Sequence, residues 1–298
     1  MYSDIENTIL VTHAGCMDGT GCAIMFRRAG GKKENIRYVS AGMLERYVKN
    51  EFQETDKFII FADVGLTETG KQYAEVIEKR GRCVLLDHHQ SSLFLKDKSW
   101  ADLRQEHCGT ELLRQYLGLE DKSSISLAAL IKDHDLWLLQ NPSSTRLAAF
   151  SVLVGQDVTQ ERFLNRDVSE QVFTETEDEF LKLAEARTKS LIESAIKKVV
   201  VRNVSYGPFK SFSAKVGYII SQEMNVSLLL NELLTQRNDI DVACQINFET
   251  GSVSLRGRKD GFDVCEFAKS FGGGGHKSAS GHRIQKNVLD GILDEIHG

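Results

Sequence analysis

Apolar and polar positions alternate along the first ninety residues in a regular way. Short apolar runs at 9–12 (ILVT), 58–62 (FIIFA) and 83–86 (CVLL) are separated by segments of helical periodicity near 19–29, 42–52 and 68–80. Strands that alternate with helices predict a largely parallel sheet with helices on its faces. Each run ends in groups able to carry chemistry: THAGCMD after the first, Asp63 after the second, and Asp87-His88-His89 after the third. In open α/β sheets, ligands bind at the carboxyl ends of the strands.

Further on, residues 175–200 place Phe180, Leu183, Ala184, Leu191, Ala195 and Ile196 near helical spacing, with acids leading and lysines trailing. That order suits the helix dipole and predicts one long connecting helix. Beyond it the texture turns to period-two, β-branched segments (FKSFSA, VGYII, VACQINF, SVSLRGR) around a helix near 224–236. The expected fold class is α/β, with no internal repeat. A mainly parallel-sheet domain with flanking helices covers 1–174, a connecting helix 175–202, and a smaller mixed α/β domain 203–298.

Composition narrows the function. The 298 residues can bury a substantial core. Net charge is −5, yet from Val201 onward basic and acidic residues balance at 11 against 11, so the deficit lies in the first 200 residues. Such a chain does not bind long nucleic acid by charge alone, whereas an acidic N-terminal half suits divalent cations. The six cysteines form no C-x-x-C pair, which argues against a zinc ribbon or a disulfide framework. The N-terminus lacks a basic cluster ahead of an apolar core, and no apolar run approaches the roughly 18 residues of a membrane span. The expectation is a cytoplasmic protein without a membrane partner. A homodimer is compatible with the sequence.

Two-metal phosphoryl chemistry needs anionic oxygen ligands and a few imidazoles converging on a pair of cations. His13, Asp18, Asp63, His88 and Asp133 form such a set. An acid after a strand is by itself ordinary turn or N-cap chemistry, but four such clusters in one chain favour a site. Adjacent histidines diverge, so one of His88 and His89 can ligate while the other faces substrate. Asp87 fits a carboxylate that orients an imidazole. Asp135 is read as orienting His134 or facing solvent, Trp137 as core rather than base-stacking, and Thr110 as the N-cap of a helix that makes His107-Cys108 a decoy. Near the C-terminus, Gly272 to Gly275 would let backbone approach a phosphate, with His276 and Arg256 as side-chain donors. Arg258 and Lys259 read as surface charges.

Asp87-His88-His89 after an apolar strand resembles the signature of the DHH phosphoesterase superfamily, and FGGGGHKSASG resembles the G-G-G-G-H-x-x-A-x-G motif of its C-terminal associated domain. The first motif, H-x-x-C-x-D-G, departs from the usual D-x-D by placing Cys16 at the first acidic position, a variant similar to one branch of the superfamily. The resemblance implies a phosphoesterase with two divalent metals, usually Mn²⁺. His13 and Asp63 would hold one metal, with Cys16 as a weak third ligand or as packing beneath the site. Asp18, Asp63, His88 and Asp133 would hold the other, with Asp63 bridging. It implies hydrolysis by a hydroxide bridging the metals, with His89 assisting the leaving group. Substrate would be gripped by Arg256, Gly273, Gly274, Gly275 and His276 across a cleft. The expected substrate is a short oligoribonucleotide or dinucleotide, cleaved to mononucleotides. The alternatives are a phosphatase of adenosine 3′,5′-bisphosphate and a non-catalytic nucleotide sensor.

Overall fold

The computed structural model describes residues 4–40, 43–67, 70–206, 212–222, 225–258 and 261–284. It divides into two compact units, Met1–Lys182 and Leu183–Gly298.

The first unit is built on a five-stranded sheet of β1 (Ile9–His13), β2 (Ile36–Val39), β3 (Ile59–Ala62), β4 (Cys83–Asp87) and β5 (Ala101–Leu103). Their spatial order is β2-β1-β3-β4-β5, and every pairing is parallel. The three expected strands are its centre. The edges β2 and β5 were not expected, being short and only half-buried. Successive residues feed opposite faces. Leu10, Ile60 and Leu86 join one apolar cluster, while Ile9, Val11, Ile59, Phe61 and Leu85 join the other. Burial on both faces explains runs that are continuously apolar rather than alternating.

Helix α1 (Met17–Arg28) packs on the first face, and α2 (Leu44–Asn50) and α3 (Gln72–Arg80) on the second. These match the helices expected near 19–29, 42–52 and 68–80, although residues 41, 42, 68 and 69 lie outside the described residues. Four further helices follow: α4 (Gly109–Leu117), α5 (Lys122–Asp135), α6 (Pro142–Val154) and α7 (Gln156–Leu164). Their buried faces, including Leu112, Leu113, Leu127, Ile131, Leu147 and Phe163, thicken the first cluster.

The expected connecting helix is α8 (Glu175–Ile196), and the division between the units falls inside it. It stops before β6 (Val200–Tyr206), because the β-branched Val200 and Val201 pair with Tyr218 and Gly217 of β7 (Phe212–Ile220). The second unit adds α9 (Val226–Gln236), β8 (Val242–Asn247), β9 (Ser252–Gly257), α10 (Val264–Lys269), β10 (Gly274–His276) and β11 (Ala279–Arg283). Its six strands run in the order β10-β11-β9-β8-β7-β6, antiparallel except for β7 with β8. Leucines of α9 cover one face and α10 the other. Among the described residues, no helix is long and apolar enough to cross a membrane.

Candidate metal centre

Register brings the chemistry together. Thr12 pairs with Ala62 and Ala62 with Leu86, so the next residues along these strands, His13, Asp63 and Asp87, stand in a row at the carboxyl edge. Asp63 leaves β3 in the left-handed region, with φ 58°. A non-glycine residue there costs of order 1–3 kcal/mol and persists only where its surroundings enforce it. The enforcement is visible at Gly109, where any Cβ would lie 2.5 Å from the Asp63 Cβ.

Four acidic or imidazole groups of the site, Asp18, Asp63, Asp87 and His88, are almost wholly buried. Three carboxylate oxygens surround one ring nitrogen. His88 Nε2 lies 3.3 Å from Asp63 Oδ1, 3.4 Å from Asp135 Oδ2 and 3.6 Å from Asp18 Oδ2. One nitrogen can offer one proton, so it cannot satisfy three anionic oxygens. Burial, together with the neighbouring Cys16 and the charges of Asp18 and Asp135, pushes the Asp63 carboxyl well above its usual range. A buried surplus of negative charge of this kind is what a divalent cation neutralises.

Asp18 is held in place by the start of α4. Its carboxylate accepts from the Gly109 amide at 2.6 Å and the Thr110 amide at 2.7 Å, and its carbonyl accepts from the Thr110 hydroxyl. The helix N-terminus thereby fixes an anion. The N-cap of α4 is Cys108 rather than the expected Thr110, which sits in the first turn. His107, half-buried ahead of it, is 2.7 Å from Glu111.

The second half of the site is built on the loop His13–Cys16. Cys16 is the N-cap of α1, its Sγ accepting from the Gly19 amide at 3.1 Å. The thiol donates to Asp63 Oδ2 at 3.1 Å, and His13 Nδ1 lies 3.1 Å from the same sulfur. Burial and the Asp18 charge push this thiol well above the ordinary thiol range, so in the metal-free protein it keeps its proton. Burial and the charge of His89 lower His13 to about 4, leaving a neutral imidazole at pH 7. Gly19 is obligatory, because a Cβ there would strike the His13 carbonyl. Gln156, at the start of α7, clamps the loop: it accepts from the Gly15 amide at 2.9 Å and donates to the His13 carbonyl and the Thr20 hydroxyl.

Asp87 and His89 form a dyad beside Asp63 and His88, Oδ1 to Nδ1 2.7 Å. Burial alone would lower the His89 pKa, but the Asp87 charge and hydrogen bond outweigh it and push it up to about 9. Burial acts on Asp87 in the opposite sense, yet His89, His88 and Ser92 hold its carboxyl well below the usual range. Any side chain at Gly65 would displace Ser92 and Asp87.

The structure does not bring Asp133 to the cluster. Its carboxylate accepts from the Gln140 amide at 2.9 Å, the Asn141 amide at 3.1 Å and the Ser144 hydroxyl at 2.6 Å, tying the end of α5 to the start of α6. Asp135 faces His88 instead. Two residues along a helix rotate a side chain by about 200°, so only one of the two can point inward. Sequence reasoning also missed Gln156 and the anchoring role of Gly109 and Thr110. D-H-D in a helical segment carried the only usable signal, and its phase was misread.

In the second unit, Ala279 of β11 pairs with Arg256 on one side and His276 on the other. Directly paired antiparallel residues share a face, so Arg256 and His276 stand on the same face with a small residue between them. Arg256 Nη2 donates to Ser227 Oγ in the first turn of α9 at 2.7 Å. The glycine run is partly strand rather than loop. Gly272 has φ 74° and Gly275 φ 136°, and a Cβ at Gly273 or Gly275 would strike β11. Arg258 is bound to carbonyls of α9 and its exit, Leu234, Ile240 and Arg237, and so is structural rather than a plain surface charge. Lys259 lies outside the described residues.

A strand-end array of buried carboxylates and imidazoles on a parallel sheet defines an α/β protein fit to hold divalent cations. No protein-family model matches the chain. The chain is 26% identical over 301 residues to oligoribonuclease NrnB of Bacillus subtilis, covering 94% of this chain and 73% of that protein. It is 25% identical over 274 residues to a 3′,5′-cyclic-nucleotide phosphodiesterase of Helicobacter pylori, covering 78% of each. Among solved structures, a pGpG-specific phosphodiesterase from Vibrio cholerae superposes with TM-score 0.52 at 11% identity over 97% of both chains. The DHH domain of a member of the S1p family of ribosomal proteins superposes with TM-score 0.52 at 12% identity, covering 98% of this chain and 87% of that one. The chain is thus similar in sequence to an oligoribonuclease and to a cyclic-nucleotide phosphodiesterase, and it shares its fold with a DHH domain of known structure.

Proposed function

We propose that the chain is a metal-dependent phosphodiesterase that hydrolyses short oligoribonucleotides or dinucleotides to mononucleotides, with two divalent ions, Mn²⁺ foremost. The observation that carries this reading is the convergence of Asp18, Asp63 and Asp135 on His88 Nε2, all within 3.6 Å. The names of the two curated relatives, an oligoribonuclease and a cyclic-nucleotide phosphodiesterase, point to the same substrate class.

His13 and Asp63 would hold one ion, with the Cys16 thiol packed against them, and Asp18, His88 and Asp135 would hold the other, with Asp63 shared between the two. Ions bound there supply Lewis-acid stabilisation of the phosphoryl group and an activated water. The chain's own residues do the rest. His13, neutral at pH 7, presents a lone pair without first losing a proton. His89, protonated at pH 7 and oriented by Asp87 at 2.7 Å, is placed to give a proton to the departing oxygen. In the second unit, Arg256 and His276 offer charge-assisted donors to a substrate phosphate, and the glycine strand adds backbone amides.

The test is product analysis. With Mn²⁺, a defined RNA dinucleotide should yield mononucleotides, and a chelator should abolish the reaction. Release of inorganic phosphate from adenosine 3′,5′-bisphosphate with the dinucleotide left intact would replace the diesterase reading by the monoesterase one. Binding without turnover in either case would leave a sensor.

A further inference from the structure

We propose that residues 136–139, led by Trp137, form the platform on which a nucleobase of the substrate stacks. This rests on the nucleotide reading above and deepens it.

Four non-glycine residues among those described have φ in the left-handed region, and two of them, Trp137 (φ 55°) and Leu139 (φ 52°), lie in this one segment. Large side chains adopt that conformation only where it is enforced, and such strain gathers at functional sites. The enforcing residue is Asp133. Its carbonyl accepts from the Leu138 amide at 2.8 Å and the Leu139 amide at 3.2 Å, and its carboxylate accepts from the two amides that follow. Asp133 is thus the frame of the segment.

What the frame presents is apolar and outside the core. Leu138 and Leu139 are 43% and 39% exposed. Among the described residues, Trp137 belongs to none of the four apolar clusters. Its indole instead lies against the His134 ring, centroids 5.4 Å apart at 57°. The position matters most. Asp135, which reaches His88 at 3.4 Å, precedes Trp137 by two residues, so their Cα atoms are at most about 7.6 Å apart. An aromatic residue two positions along the chain from a carboxylate of the cluster is placed to meet the base adjoining the phosphoryl group. Base stacking on an aromatic ring is tolerant of sequence and needs no basic surface, which fits a chain of net charge −5.

Fluorescence tests the platform apart from turnover, because the chain has two tryptophans and the other, Trp100, is buried. In Mg²⁺, AMP should quench the wild-type emission and ribose 5-phosphate should not. Trp137→Phe should lose the quench while keeping AMP affinity by calorimetry. Trp137→Ala should weaken AMP binding about tenfold and leave ribose 5-phosphate unaffected, with metal content unchanged in both variants. No quench in the wild type, a quench that survives Trp137→Phe, or equal loss of both ligands in Trp137→Ala would overturn the proposal. A base-dependent quench in a protein that fails to cleave dinucleotides would sink the diesterase reading and leave the platform standing.

Discussion

The Asp87–His89 pair sets a pH dependence that one substitution removes. A histidine raised from 6.5 to about 9 in the folded protein contributes stability that is fully present below pH 6.5 and is lost as pH climbs to about 9. The melting temperature of metal-free protein should therefore fall over that window, and Asp87→Asn should abolish the slope. If His89 donates the proton to the leaving group, kcat of the wild type should fall as pH rises through about 9, and in Asp87→Asn this alkaline limb should move acidward by more than one pH unit. A limb that stays in place would remove His89 from proton transfer. Cys16 supplies a second test. Its protonated thiol caps α1 and donates to Asp63, and a serine hydroxyl can do both. Cys16→Ser should retain every equivalent of tightly bound Mn²⁺ in a metal titration, while Asp18→Ala should lose one. Loss of an equivalent in Cys16→Ser would establish the sulfur as an anionic ligand.

Within α5, Asp133 and Asp135 divide structure from chemistry. Asp133→Asn weakens charge-assisted bonds to two amides and a hydroxyl, and should cost about 1–3 kcal/mol in denaturant unfolding with Mn²⁺ stoichiometry unchanged. Asp135→Asn should keep the fold and weaken Mn²⁺ binding by at least about tenfold. The reverse pattern would return Asp133 to the metal. This pair also shows how far the amino-acid pattern reaches. Both acids were visible in KDHDLW, but which one points inward depends on helical phase relative to a sheet that the local sequence does not contain. The central strands β1, β3 and β4 were legible because both their faces are buried and their apolar runs are unbroken. The edges β2 and β5, four and three residues long and half-exposed, left no comparable trace.

Across the whole chain, two compact units carry different chemistry: the first the carboxylates and imidazoles, the second a sheet face with Arg256 and His276. Under the proposed function, Arg256→Ala and His276→Ala should each raise KM for a dinucleotide about tenfold, the worth of one charge-assisted hydrogen bond. The fall in kcat should be smaller, as expected for contacts that hold the ground state and the transition state alike. Unchanged KM in both variants would detach this face from substrate binding. Read along the chain alone, the residues were enough to establish an α/β class, the order of its motifs and the three strand ends at which His13, Asp63 and Asp87 emerge, because buried strands and their polar exits are local patterns. Folding decided the rest: that Asp135 and not Asp133 joins His88, that the amides of Gly109 and Thr110 hold Asp18 from 91 and 92 residues away, and that Gln156 reaches back to the His13 loop. Those contacts join residues with no shared periodicity, and they arise only when helices α4, α5 and α7 pack around the sheet and set their rotations against one another.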